Sequence, residues 1–537
     1  MEARTLQPSR RTRQVAAFAI AYAATLLLVA ALFHSILKLN HGTFTYTLDD
    51  PYIDLALGDQ IRHGNYGIQP GHHAAPSSSI LYPLLLVPGA NSRLFIYLPL
   101  LLNVIGLLVA MDIMRSYFRH LRLAQDNFAV IVQAAAIVMM AVCFNLVGVV
   151  FTGLEHNLHI AAMAGIIYGL ALFLDTDQIP RWLPALIVLA PLLRFESLPL
   201  CLAAVLVFAL RGRWRTAAGT FAATILLLAG YSIFLVKLGL PPLPSSVLVK
   251  STMSAQALGT SGIGMLKAFA GNAILMSAHN TGIVLLLLGI AAAARCAVEI
   301  MARPARWSSQ GLMAFVLFCI IAGHAVAGRF GWFERYEDYL LVSASLLGIY
   351  VIQQPIRTVL ADPAKRLVFV PAAALVLLVV GARYCRATAQ VPLAANNIYQ
   401  QQFQMQRFVN DFYKGPVAVN DVGLVSFRNP YDVLDLYGLT SEAARKLLWT
   451  NANADAYRDL VLSHEVHFAM LYGELFGKKI PVQWTKVASL KLSRPKVSVA
   501  DNTVDFYATD PATAIQLRQQ LTAFQPTLPP GVSLTIN

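Results

Sequence analysis

A chain of 537 residues that is 57% hydrophobic and only 13% charged has the composition of a membrane protein, which sets aside soluble enzymes and disordered tails. A formal charge of +13 would suit nucleic acid, but the basic residues fall in short clusters between apolar runs: Arg115/Arg119/Arg122, Arg211/Arg213/Arg215, Arg303/Arg306 and Lys365/Arg366. Membrane topology accounts for that spacing, and no nucleic-acid partner is expected.

Arg4, Arg10, Arg11 and Arg13 precede an apolar run from Val15 to Leu37. The run can cross a bilayer, which needs roughly 20 residues, and is too long for a signal-peptide core. It predicts an uncleaved first helix with a cytoplasmic N-terminus. The next stretch, Thr47-Leu-Asp-Asp-Pro-Tyr-Ile-Asp54 and on through Gly64, Gly67 and Gly71, then faces outward, which in a bacterium is the periplasm. The apolar region from Ile80 to Met114 is interrupted by Pro83, Pro88 and Gly89, so its beginning is expected to be bent or re-entrant and its second part to span. Further spans are expected at 127–149, 157–174, 182–193, 197–210, 217–238, 282–302, 310–328, 338–354 and 367–385. These make about eleven crossings of the inner (cell) membrane, each roughly 20 residues where it is complete. Basic residues stand in every cytoplasmic loop, and the C-terminus lies outside. Trp182–Leu193 and Ser197–Leu210 are too short to cross alone. They should meet at Arg194-Phe-Glu196, in a cavity below the outer surface.

Residues 1–385 thus read as a transmembrane domain and 386–537 as a soluble α/β domain of ordinary size. Strands are expected at Val417–Val419, Val433–Leu436, Phe468–Tyr472 and Lys491–Val504, with a polar helix at Gln400–Phe412. The five cysteines (Cys143, Cys201, Cys296, Cys319 and Cys385) lie in or beside apolar runs without CxxC or zinc spacing, and read as small hydrophobes.

Ionisable residues gather at the outer ends of the spans: Asp49, Asp50 and Asp54; Glu155; Arg194 and Glu196; Lys250; and Arg329, Glu334, Arg335 and Asp338. Carboxylates can deprotonate a hydroxyl or hold a divalent cation, so a metal cofactor stays open. Arg and Lys can hold a phosphate leaving group. Each has a plainer reading. Asp49 and Asp50 suit a solvated loop or a helix N-cap, and Asp54 a structural role. Glu155 suits a helix-dipole partner, and Arg194 with Glu196 an ion pair. Lys250 and Arg335 suit juxtamembrane charges. His72 and His73 sit in a Pro/Ser loop and read as solvated. His156 and His159 lack the Glu of a zinc-protease helix. Asp421 and Asp435 read as turn residues.

In order along the chain, these residues resemble the motifs of GT-C class glycosyltransferases, above all the family of mycobacterial terminal arabinofuranosyltransferases. Asp49-Asp50-Pro51-Tyr52-Ile53 with Gly64 to Gly71 is similar to its Asp-Asp-aromatic-Ile and Gly-rich segment, Thr152-Gly153-Leu154-Glu155 to its small-Gly-x-Glu, and Arg194-Phe195-Glu196 to its Arg-x-Glu. Leu243-Pro244-Ser245-Ser246…Lys250 resembles a Leu-Pro-Asn-Thr…Lys element, and Arg335-Tyr336 an Arg-Tyr before a late span. Asn420-Asp421-Val422-Gly423 and Leu434-Asp435-Leu436-Tyr437-Gly438-Leu439 resemble two turns of the soluble domain. Pro51 and Ser245-Ser246 depart from the pattern, where a small residue and Asn-Thr are usual.

The resemblance implies transfer of a sugar, arabinofuranose above others, from a polyprenyl-phosphate donor to a hydroxyl of a cell-envelope glycan or surface protein. Asp49 or Asp50 would be the catalytic base, with Asp49 the first choice. Tyr52, Glu155, Arg194, Glu196, Lys250 and Arg335 would bind substrate. Protein O-mannosyltransferases and lipid A aminoarabinose transferases are the alternatives within the class. A lipid-linked sugar transporter would need polar groups near the midplane and paired halves, whereas the polar groups here crowd one face. A non-catalytic assembly protein would tolerate loss of both aspartates.

Overall fold

The computed structural model describes residues 10–123, 126–250, 262–302 and 307–537. Arg4, Arg303 and Arg306 lie outside the described residues, as does the side chain of Lys250, the last residue of helix Ser245–Lys250.

In lipid every backbone polar group must be satisfied within its own segment, so the apolar runs become helices. Among the described residues seven are long and apolar enough to cross a membrane: Gln14–Leu39, Phe95–His120, His156–Thr176, Trp214–Lys237, Asn280–Ala302, Ser309–Ala327 and Pro363–Tyr413. Two bent pairs, Asn127–Cys143 with Leu146–Thr152 at 58° and Asp338–Val351 with Gln353–Ala361 at 74°, are broken spans or re-entrant loops. The first bends at Asn145, whose φ of 61° is left-handed. The second bends just ahead of Pro355, which has no N–H to continue the ladder. Leu183–Leu193 and Phe195–Leu210 are the shorter apolar helices. These segments match the expected spans one for one, and the chain is a multi-span helical membrane protein. Ahead of Phe95, the short helix Tyr82–Leu86 and the turn Val87–Gly89 form the bend that Pro83, Pro88 and Gly89 foreshadow.

Helix His156–Thr176 is the axis of the bundle, with 83% of its apolar window buried against 17% for Trp214–Lys237. A helix apolar all round belongs inside, whereas the peripheral one offers Leu226 and Ile233 to lipid. Close approach to the axis depends on Gly106: a Cβ there would stand 2.7 Å from the Asn157 carbonyl carbon.

The last spanning helix does not stop at residue 385: it runs from Pro363 to Ala389, and the helix Val391–Gln400 that follows carries the chain into the C-terminal domain. The polar helix expected at Gln400–Phe412 is divided into Val391–Gln400, Gln402–Arg407 and a π-helical turn Phe408–Tyr413. The domain holds a six-stranded sheet of β1 (Val417–Val419), β2 (Val433–Asp435), β3 (Phe468–Leu471), β4 (Thr485–Lys491), β5 (Thr503–Ala508) and β6 (Ser533–Ile536). The strand order is β2-β1-β3-β5-β4-β6. β1 pairs in parallel with β2 and β3, and the other pairings are antiparallel. The strand expected over Lys491–Val504 is instead the connection between β4 and β5, with only its ends in the sheet. Pro495, which cannot donate to a ladder, sits within it. Phe408, Phe468, Phe506 and Phe524 form the aromatic core, with ring centroids 5.3 to 5.8 Å apart around Phe408.

The domain sits on one end of the bundle. Gln69 Nε2 donates to the Val433 carbonyl (2.9 Å), Arg445 Nη1 to Ser245 Oγ (3.0 Å) and Arg428 Nη2 to the Ala90 carbonyl (3.2 Å).

Candidate active site

At that end of the bundle lies a cavity of about 440 Å³ lined by span ends and the first loop. Asp50, Arg194, Glu196, Arg329 and Arg335 supply its charges, with Asp54 and His324 beside them. Ile53, Leu198, Pro199, Val247 and Val326 supply an apolar wall.

Asp50 is the first residue of helix Asp50–Arg62, with Pro51 behind it to pre-set the turn. Asp50 lines the cavity, and Asp49 does not. Asp49 makes no cap bond to its own helix. Its Oδ2 accepts from Gly423 N–H (2.6 Å) and its Oδ1 from Leu424 N–H (2.8 Å), at the start of the short helix Gly423–Ser426 in the C-terminal domain. Burial and the nearby Asp421 push the Asp49 carboxyl above its ordinary range, against the pull of those two N–H groups. Asp421 is pushed up to about 6 by burial, although Gln402 Nε2 donates to it at 2.8 Å. Asp435 sets its turn as expected, accepting from the N–H groups of Tyr437, Gly438 and Thr440.

Arg194 stands in extended conformation at the break between the two short helices. Its Nη1 meets Glu155 Oε1 at 2.7 Å and its Nη2 meets Glu196 Oε1 at 2.6 Å. The ion pair foreseen from the sequence is therefore a triad. Glu155 is buried behind the cavity and makes no cap bond to its helix.

Arg335 arrives differently. Trp332, Phe333 and Glu334 all hold positive φ, at 46°, 68° and 54°. This conformation costs an L-residue roughly 1–2 kcal/mol. The turn is held by Asn145 Nδ2 donating to the Phe333 carbonyl (2.8 Å), by Arg383 Nη2 on Glu334 (2.7 Å), and by Glu337, which accepts from Gly331 N–H (3.1 Å) and Tyr384 OH (3.0 Å). The turn carries a 3% exposed arginine to the cavity wall. Arg335 Nη2 donates to Asp50 Oδ2 (2.7 Å) and Tyr336 OH (3.2 Å). Burial works against the charge, but Tyr336 and Asp50 outweigh it and raise the pKa further. Among the described residues, Arg335 Nε and Nη1 have no acceptor.

Of the ionisable residues singled out in the sequence, the cavity brings together Asp50, Asp54, Arg194, Glu196, Arg329 and Arg335. Tyr52 is fully buried outside it, its OH accepting from Tyr46 N–H at 3.1 Å. His324 and Tyr339 were missed, yet both line the cavity and share a 2.8 Å bond. An ionisable residue near the end of an apolar span was the signal for His324. Ser246 Oγ, buried in the same wall, has no partner among the described residues. Among those residues no three His, Cys, Asp or Glu side chains gather as a metal site. His72 and His73 are exposed.

Residues 396–507 match a family described as Domain of unknown function (DUF8728). Among solved structures, the chain is similar to ArnT from Cupriavidus metallidurans in the apo state, at 14% identity over 93% of this chain and 99% of that one, with a TM-score of 0.46. No curated protein matches the sequence.

Proposed function

We propose that this chain is a GT-C class glycosyltransferase of a bacterial inner membrane, with the cavity and C-terminal domain on the periplasmic side. It moves a sugar, arabinofuranose above others, from a polyprenyl-phosphate donor to a hydroxyl of a cell-envelope glycan or surface protein. The ordered motifs of the sequence support this reading. The observation that carries it is Arg335, a buried cation on the cavity wall whose Nε and Nη1 have no acceptor among the described residues, paired with the Asp50 carboxylate beside an apolar wall. A desolvated guanidinium on the cavity wall suits a phosphate oxygen, and the apolar wall suits the first units of a lipid chain.

In the reaction, Asp50 takes the proton of the acceptor hydroxyl, whose oxygen bonds to the anomeric carbon. The bond from that carbon to the phosphate oxygen breaks, and the charge that grows on the departing polyprenyl phosphate meets Arg335. Asp50 suits the base better than Asp49, because its carboxylate lines the cavity. Arg194 is balanced by Glu155 and Glu196, so it shapes the wall on which Glu196 stands. Lys250 remains a second candidate for the phosphate.

The test is a panel of synthetic polyprenyl-phosphate sugars offered to the purified protein in sealed proteoliposomes with cell-envelope glycan. Release of polyprenyl phosphate from at least one donor is expected. Donor carried across the bilayer intact, with none cleaved, would replace the transferase reading with transport.

A further inference from the structure

We infer that Asp49 is a positioning residue: its carboxylate clasps the Gly423–Leu424 backbone of the C-terminal domain, and this clasp sets Asp50 on the cavity wall. The inference rests on the transferase reading for its catalytic part and on geometry alone for the clasp.

Both Asp49 oxygens are occupied by backbone donors from a segment 374 residues away in the chain. The approach is so close that only glycine fits at 423: a Cβ there would stand 2.2 Å from the Asp49 carbonyl oxygen and 2.7 Å from Oδ2. The Asp49 carbonyl in turn accepts from Tyr52 N–H at 3.1 Å, closing the first turn of the helix that Asp50 begins. One residue therefore ties the C-terminal domain at its side chain and the Asp50 turn at its backbone. On the domain side, Gln402 Nε2 bridges Asp421 (2.8 Å) and Tyr472 OH (2.6 Å), and Tyr472 N–H donates to Asn420 Oδ1 (2.8 Å). The turn that receives Asp49 is thereby fixed to β3. A carboxylate held in this way, outside the cavity, is placed to hold its neighbour rather than to collect a substrate proton. The C-terminal domain is then part of the catalytic unit and not an appended module.

Two readouts on the full-length protein in nanodiscs test this: hydrogen exchange at the Gly423 and Leu424 amides, and transfer kinetics. Asp49→Asn keeps one acceptor oxygen but turns an NH2 toward the other backbone N–H, so only one of the two bonds survives. It should keep protection at one of the two amides and lose less in kcat than Asp49→Ala. Asp49→Ala should release both amides and lower kcat by about tenfold or more, the scale of a lost cap. Gly423→Ala should reproduce that loss from the other side of the contact. Asp50→Asn should lose about 10²–10⁴ in rate with amide protection unchanged. The inference is overturned if Asp49→Asn is as inactive as Asp50→Asn while protection persists, because Asp49 would then be the base. It is also overturned if protection at 423–424 is the same in Asp49→Ala as in the parent. The exchange result stands even if no donor is consumed, in which case the transferase reading falls and the clasp is judged alone.

Discussion

Two buried arginines line one cavity, and they differ in how their charge is used. Arg194 lies at a break between short helices and gives one arm to Glu155 and the other to Glu196. Arg335 rides on a left-handed turn and shares one nitrogen with Asp50 and Tyr336, while two others have no acceptor among the described residues. A charge that is matched in place stabilises the cavity. The charge that is only half matched is the one we assign to the donor phosphate.

The comparison breaks first, and hardest, at Glu155. Removing one member of a buried ion pair leaves an uncompensated charge and typically costs about 3–5 kcal/mol. Glu155→Ala should therefore lower the melting temperature in nanodiscs more than any other change at this site. A melting temperature equal to the parent's would mean that Arg194 is not held as described.

Arg335→Ala should lower the melting temperature less, because its partner Asp50 is partly exposed, and should weaken transfer. Hydrogen bonds to charged groups contribute roughly 1.5–3 kcal/mol, or about one to two orders of magnitude in kcat/KM for the donor. Arg335→Lys should also be impaired, because a point charge lacks the planar fork. A defect confined to acceptor kinetics would move Arg335 out of the donor site.

The sequence made Arg194 and Arg335 legible to different degrees. Helices too short to span forced a break at Arg194-Phe-Glu196, so a cavity there followed from length alone. The triple left-handed turn before Arg335 left no comparable signal, because Trp332, Phe333 and Glu334 are not residues that favour positive φ. The turn depends on Asn145 and Arg383 from distant spans. The spans themselves were plain, since lipid demands uninterrupted apolar runs. The acid pair was found as a motif, but its division of labour was hidden: which carboxylate faces the cavity depends on contacts with residues 423 and 424. In the C-terminal domain, scattered valines suggested a strand over Lys491–Val504, where Pro495 interrupts pairing, and β6 was too short to stand out.

Asn145 offers a smaller test of the turn. Its side chain donates to the Phe333 carbonyl and accepts from Thr388 Oγ (3.0 Å). Asn145→Ala should cost about 1 kcal/mol for each bond lost and shift Arg335 enough to raise the donor KM. An unchanged KM alongside a lowered melting temperature would make the turn purely structural.

The smallest effect concerns pH. Burial pushes the Asp421 carboxyl up to about 6 in the folded protein, so the folded state holds the proton longer than the unfolded state. Stability should fall as pH rises from about 4 through about 6 and level off beyond. Asp49 shifts in the same direction, so Asp421→Asn should flatten part of that decline. Thermal unfolding across this range checks it, and an identical slope in the variant would remove Asp421 as a source.

The most direct measurement is the affinity of polyprenyl phosphate, the leaving group without its sugar, for the parent and for Arg335→Ala in nanodiscs. Arg335→Ala should bind it at least about tenfold more weakly, the lower bound for a lost charged hydrogen bond. Equal affinity in the two proteins would contradict the assignment of Arg335 to the donor phosphate.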